Sequence, residues 1–119
     1  MQDFRDLKVW QKSHQLTLEI YRVTTTFPRE ELYGITNQIR RASSSIAANI
    51  AEGCGRNSHN ELRRFLEIAM GSASELEYHL LLARDLNMLE HHRHDTLNAQ
   101  TCEVKRMLAV FIQKLKTDN

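Results

Sequence analysis

One proline, four glycines and two cysteines in 119 residues leave this chain short of the material that several fold classes require. So few turn-formers cannot supply the many tight turns of an all-β domain, and helices are favoured. Cys54 and Cys102 lie far apart and belong to no close-spaced pair. No disulfide scaffold is indicated, and both read as free, buried thiols in a reducing compartment. No apolar run approaches the roughly 20 residues of a membrane span. The opening Met1–Leu7 mixes acid and base with no apolar stretch behind it, unlike a secretory signal. A cytoplasmic protein with no membrane association is the expectation. An excess of one charge is missing too: 16 Lys and Arg against 15 Asp and Glu give a net +1. Any nucleic-acid binding must therefore come from a local patch rather than from the chain as a whole.

What is present is helical periodicity. Val9, Leu16, Ile20, Val23 and Phe27 recur at helical spacing and stop at Phe27-Pro28, because the residue before proline disfavours α geometry. Pro28 suits the entry to a second helix, with Glu30 and Glu31 at the positive end of its dipole. Leu32, Ile35, Ile39, Ala42, Ile46 and Ile50 then form its stripe. Gly53-Cys54-Gly55 supplies a stop, on the expectation that a glycine takes the left-handed conformation that closes a helix. Ser58-His-Asn-Glu61 is a capping box for the next helix. That third helix has the clearest pattern: Leu62, Phe65, Ala69, Ala73, Leu76, Leu80 and Ala83 step by three and four throughout. Leu97, Thr101, Val104, Leu108, Phe111 and Leu115 make a fourth stripe. The prediction is one all-α domain over residues 1–119, an antiparallel up-down-up-down four-helix bundle with helices near 5–26, 29–53, 58–86 and 92–116. A domain of this size buries only about two thirds of the surface its unfolded chain exposes, so self-association would add useful stability.

Three groups of residues invite a functional reading. Arg40 to Gly55 is dense in small side chains where a bundle core should be greasy. Within it Gln38, Arg41, Ser45, Asn49 and Glu52 share one face, and Ser72, Glu75 and His79 answer at helical spacing on the third helix. Buried polar groups need partners, so this face is either an internal network fixing the register of two close helices or a surface for another subunit or ligand. Arg40, Arg41, Arg56, Arg63 and Arg64 surround the turn between the second and third helices. Guanidinium groups with backbone N–H donors at a helix start would suit RNA phosphates, whereas the plainer reading is a solvated face of ion pairs. The run Glu90-His91-His92-Arg93-His94-Asp95 could offer metal ligands, with Cys102 further along, or simply be a polar turn.

Enzyme templates find no match. In no case does the residue three beyond a glutamate prove to be histidine, as bundle di-iron sites require, and there is no Gly-rich phosphate loop and no His-Glu-x-x-His. No catalytic residue, resident metal or cofactor is expected.

The wording of these motifs resembles a bacterial family of four-helix-bundle proteins encoded within intervening sequences of 23S ribosomal RNA genes. The resemblance is carried by Phe4-Arg-Asp-Leu-Lys-Val-Trp10, Phe27-Pro28, Tyr33-Gly34-Ile-Thr and Gln38-Ile-Arg-Arg41. It continues in Ser45-Ile-Ala-Ala-Asn49-Ile-Ala-Glu52-Gly53, Arg64-Phe-Leu-Glu67-Ile-Ala and Gly71-Ser with Glu75-Leu. It implies a bundle that assembles into a ring of five subunits, with no known enzymatic activity and no settled molecular function. A related branch, the accessory proteins of diversity-generating retroelements, is strongly basic and binds nucleic acid and a reverse transcriptase; the near-neutral charge here departs from it. The function expected from residues and resemblance together is a non-catalytic homo-oligomer, pentameric by analogy, that binds structured RNA or a protein partner. The runner-up is a metal- or small-molecule-binding protein using the His91–Asp95 run or the polar face.

Overall fold

The computed structural model describes residues 2–117, and within them the fold is all-helical. A single 3-10 turn, Phe4–Asp6, leads into α1 (Lys8–Thr24). A second, Arg29–Glu31, precedes α2 (Ile35–Cys54), which is followed by α3 (His59–Asp85) and α4 (His91–Thr117). At 1.5 Å per residue the longest helices reach about 40 Å, in keeping with a body of 46 × 22 × 20 Å. The short links force neighbours to run antiparallel. The start of α1, the α2–α3 turn and the end of α4 therefore share one end of the bundle. Ile20, Ile39, Ile46, Leu66, Leu76, Leu97 and Leu108 are fully buried along its axis, each contributing roughly 1.5–3 kcal/mol by leaving water. Among the described residues no helix is long and apolar enough to cross a membrane.

Three local expectations need correction. The second helix starts at Ile35, not near residue 29: Leu32 is 45% and Tyr33 92% exposed, so nothing on this stretch is buried to sustain a helix, and Gly34 has non-helical backbone angles. Gly55 does not close α2 in a left-handed conformation; its φ is −83°, and its N–H simply donates to the Ala51 and Glu52 carbonyls. On α4 the inward position is Ile112, while Phe111 is only half-buried.

The left-handed residue is instead Asn87, with φ 63°. It ends α3: its N–H donates to the Arg84 carbonyl and that of Met88 to the Ala83 carbonyl, both at 2.9 Å, which is the Schellman arrangement. At the start of α3, Ser58 Oγ accepts from the Glu61 N–H at 3.1 Å. The Glu61 carboxylate turns to Arg64 at 3.1 Å, so the reciprocal half of the capping box is not made.

Gly53 lies inside α2 and is buried against α3. A Cβ there would stand 2.9 Å from Leu62 Cδ1, 3.0 Å from Phe65 Cβ and 3.3 Å from the Leu62 carbonyl oxygen. Between α3 and α4, Lys105 Nζ meets Glu77 Oε1 at 2.8 Å and Cys102 Sγ donates to Glu77 Oε2 at 3.6 Å. The lysine bond lowers the Glu77 carboxyl from its usual range.

Three substitutions at two positions test this account through urea midpoints. Gly53→Ala is expected to cost about 1–3 kcal/mol despite alanine's better helix propensity, because the added methyl overpacks against α3. Asn87→Val is expected to cost about 1–2 kcal/mol for its left-handed backbone, whereas Asn87→Gly should be neutral or stabilising.

Candidate functional site

The polar face of α2 and α3 divides into three parts. In the middle, Ser45 Oγ and Ser72 Oγ lie 2.9 Å apart across the helix pair, and Asn49 Nδ2 donates to the Ser45 carbonyl at 2.8 Å and to its Oγ at 3.0 Å. This is a satisfied, half-buried network that holds register. Toward one end, Glu52 is exposed and pairs with Arg56 at 2.9 Å. Toward the other, Gln38, Arg41 and Glu75 line a shallow depression beside the exposed Tyr33. His79 keeps a buried Nδ1 with no hydrogen-bond partner among the described residues and packs its ring 5.6 Å from that of Tyr78. Helical spacing identifies residues on one face of each helix, but two crossing helices stay within side-chain reach only near their closest approach.

The five arginines do not form one patch. Arg40 belongs to the α1–α2 seam, where its Nε donates to Thr24 Oγ1 at 2.9 Å and its guanidinium lies 4.9 Å from the Tyr21 ring centre. Arg41 is about 22 Å along the helix from Arg56, at 1.5 Å per residue. Arg56 and Arg64 flank the Phe65 ring at 4.9 and 4.5 Å, each also held by a carboxylate, Glu52 and Glu61 respectively. Arg63 is half-buried and makes no ion pair with a described residue. A phosphate at this turn would compete with two carboxylates already in place.

The histidine run is likewise dispersed. His91, His92 and Arg93 are exposed, and His94 is buried with Nδ1 3.4 Å from Asp95 Oδ1. Cys102 is engaged with Glu77, and burial first, then that carboxylate, pushes its thiol up and away from thiolate character. Burial does the same to Cys54. Among the described residues no three His, Cys, Asp or Glu side chains converge to hold a metal ion.

Two surfaces escape the motif reading. On α3, Gly71 faces outward with no described residue within 4 Å of where its Cβ would be, and Ile68 and Tyr78 are exposed on the same side of the helix, interleaved with the exposed Glu67, Ser74 and Glu75. At the end shared by the start of α1 and the end of α4, an open groove of about 640 Å³ is lined by the apolar Leu7, Val9, Met107, Val110, Phe111 and Leu115. Lys8, Arg106, Lys114 and His59 line it as well. The signal for the groove was present in α4: Val104, Met107, Leu108, Val110, Phe111, Ile112 and Leu115 form an apolar arc wider than the core uses. Gly71 carried a weaker signal, as a glycine inside a strong helical pattern.

Comparison with known proteins places these features in a family. A crystal structure of a protein of unknown function from the S23 ribosomal protein family of Bacteroides thetaiotaomicron VPI-5482 superposes with a TM-score of 0.83. It is 26% identical, over 88% of this chain and 95% of the other. Comparison with curated proteins gives no match. The family described as 23S rRNA-intervening sequence protein matches residues 5–110, nearly all of the bundle, and the chain belongs to that family.

Proposed function

We propose that the chain is a non-catalytic assembly module: copies associate through the outer face of α3 into a ring, five-membered as the family resemblance implies, and the ring binds a protein partner. The observation that carries the reading is Gly71. A glycine in mid-helix costs about 1 kcal/mol relative to alanine, and no contact within the protomer requires it. A bare backbone between the exposed Ile68 and Tyr78 instead suits the close approach of another helix. The non-catalytic part is supported by how polar groups are used: Glu52, Glu61 and Glu77 are engaged by cations, and both thiols are held toward the neutral form. The two free cysteines also suit a reducing compartment such as the cytoplasm.

Of the two partner classes, protein is favoured over RNA. The arginines are divided between two regions, and those flanking Phe65 are balanced by carboxylates. The other exposed cations named, Lys8, Arg106 and Lys114, lie around a largely apolar groove rather than along a polar track.

Sedimentation equilibrium tests the assembly. The unmodified chain should reach five times its 13.9 kDa mass at micromolar concentration. Gly71→Leu and Tyr78→Glu should each weaken association about tenfold or more, ~1.4 kcal/mol, with helical circular dichroism retained. A chain that remains monomeric at tens of micromolar overturns the proposal. Salt-sensitive binding of a structured RNA, lost on replacing Arg56, Arg63 and Arg64, would restore RNA as the partner.

A further inference from the structure

We infer that the groove between the start of α1 and the last turns of α4 is a docking site for an acidic amphipathic helix on a protein partner. The inference deepens the assembly reading by locating a partner surface, and it does not require the ring. Along α4 the groove is built from two parallel rows. Arg106, Val110 and Lys114 recur every four residues, and Met107, Phe111 and Leu115 form the adjoining row. The result is an apolar strip with a cation at each end, and Lys8 adds a third from α1.

Charge and exposure both point to an occupant. Val110 is 70% exposed, although it sits between Met107 and Phe111, which pack onto the core. Among the described residues, no aspartate or glutamate lines the groove. Lys8, Arg106 and Lys114 form no ion pair with a described residue, while Lys12, Arg56, Arg64 and Lys105 each do. Three cations around an apolar lining, none paired with a described carboxylate, favour a ligand that brings both apolar and acidic groups.

Shape selects the kind of ligand. Small-molecule sites enclose most of their ligand, but this groove is open along its length. Residues 106 to 115 span about 14 Å, two and a half helical turns. That length matches the apolar anchors at i, i+3 or i+4, and i+7 that a helix lays into a groove. The chain's own outward ridge on α3 mixes Arg64 with Glu67 and Glu75, so its charge complements the groove poorly. An RNA strand would find cations here but an apolar lining.

The test uses the full chain and a fluorescein-labelled helical peptide of about 14 residues, leucines spaced as those anchors and glutamates flanking them. Saturable anisotropy at micromolar peptide is expected, weakened by added salt. Val110→Glu should weaken binding at least tenfold. Arg106→Glu with Lys114→Glu should transfer preference to the same peptide carrying lysines in place of glutamates. Because all three residues are exposed, circular dichroism should show each variant folded. Absence of binding at about 1 mM peptide, weaker than −4.1 kcal/mol, overturns the inference, as does equal binding by Val110→Glu. Loss of the oligomer in Val110→Glu would assign the groove to a second copy and also overturn it. Failure of the chain to self-associate, with peptide binding intact, would sink the ring and leave the docking site standing.

Discussion

The distance between α2 and α3 governs how every other part of the bundle is placed. Protein interiors pack at crystal-like density, so a helix can come no closer than its largest facing side chain allows. Gly53 removes that side chain where Leu62 and Phe65 arrive, and Ser45 and Ser72 meet through their hydroxyls farther along. Once α3 is this close, Phe65 lies beneath the turn and serves as the platform on which Arg56 and Arg64 rest. The same economy of side chains on the opposite flank of α2 admits α1, where Thr17 Oγ1 donates to the Ser43 carbonyl at 3.1 Å. Small residues on α2 thus act twice, once toward each neighbour.

This economy explains how polar chemistry is distributed over the molecule. Most hydroxyls in the interior are occupied by nearby carbonyls or by one another, Thr36 Oγ1 and the Gln100 amide oxygen being left without a partner among the described residues, and most surface carboxylates near the seams are occupied by cations. Side chains so engaged are poor candidates for proton transfer or metal binding, because each new partner would displace an existing one. Two unengaged features lie outward: the bare backbone at Gly71, with Ile68 and Tyr78 interleaved with Glu67 and Glu75, and the groove beside the end of α4. The first is the surface proposed for close helix contact, and the second the one proposed for an acidic amphipathic ligand.

Much of the bundle was legible in the residues because its signals are local and periodic. Steps of three and four from Leu62 to Ala83 correspond to a helix whose core positions are largely those residues, and Phe27-Pro28 marks the end of α1 within a few positions. The start of α2 was not legible, since Leu32 counts as apolar in a pattern yet finds nothing to pack against. The role of Gly53 was hidden for a related reason: two glycines flanking Cys54 suggest a stop, and only the arrival of α3 makes the first of them a contact point. Phe111 and Ile112 are neighbours of similar hydrophobicity, so which one turns inward depends on the twist of α4 about the core. The arginines show the limit of grouping by proximity in sequence. Arg40 and Arg41 differ by about 100° around the helix and serve different neighbours.

Ser43, Ser44 and Ser45 display the same rotation in miniature. Ser43 is buried on the α1 side, Ser44 bonds only its own helix, and Ser45 reaches α3. Inserting or deleting a single residue between Ala42 and Gly53 would turn everything beyond it by about 100°, carrying Gly53 off α3 and bringing a side chain into its place. Changes of chain length are therefore barred from the heart of α2. They can accumulate in the links outside it, such as the exposed segment before Ile35, where no register has to be kept.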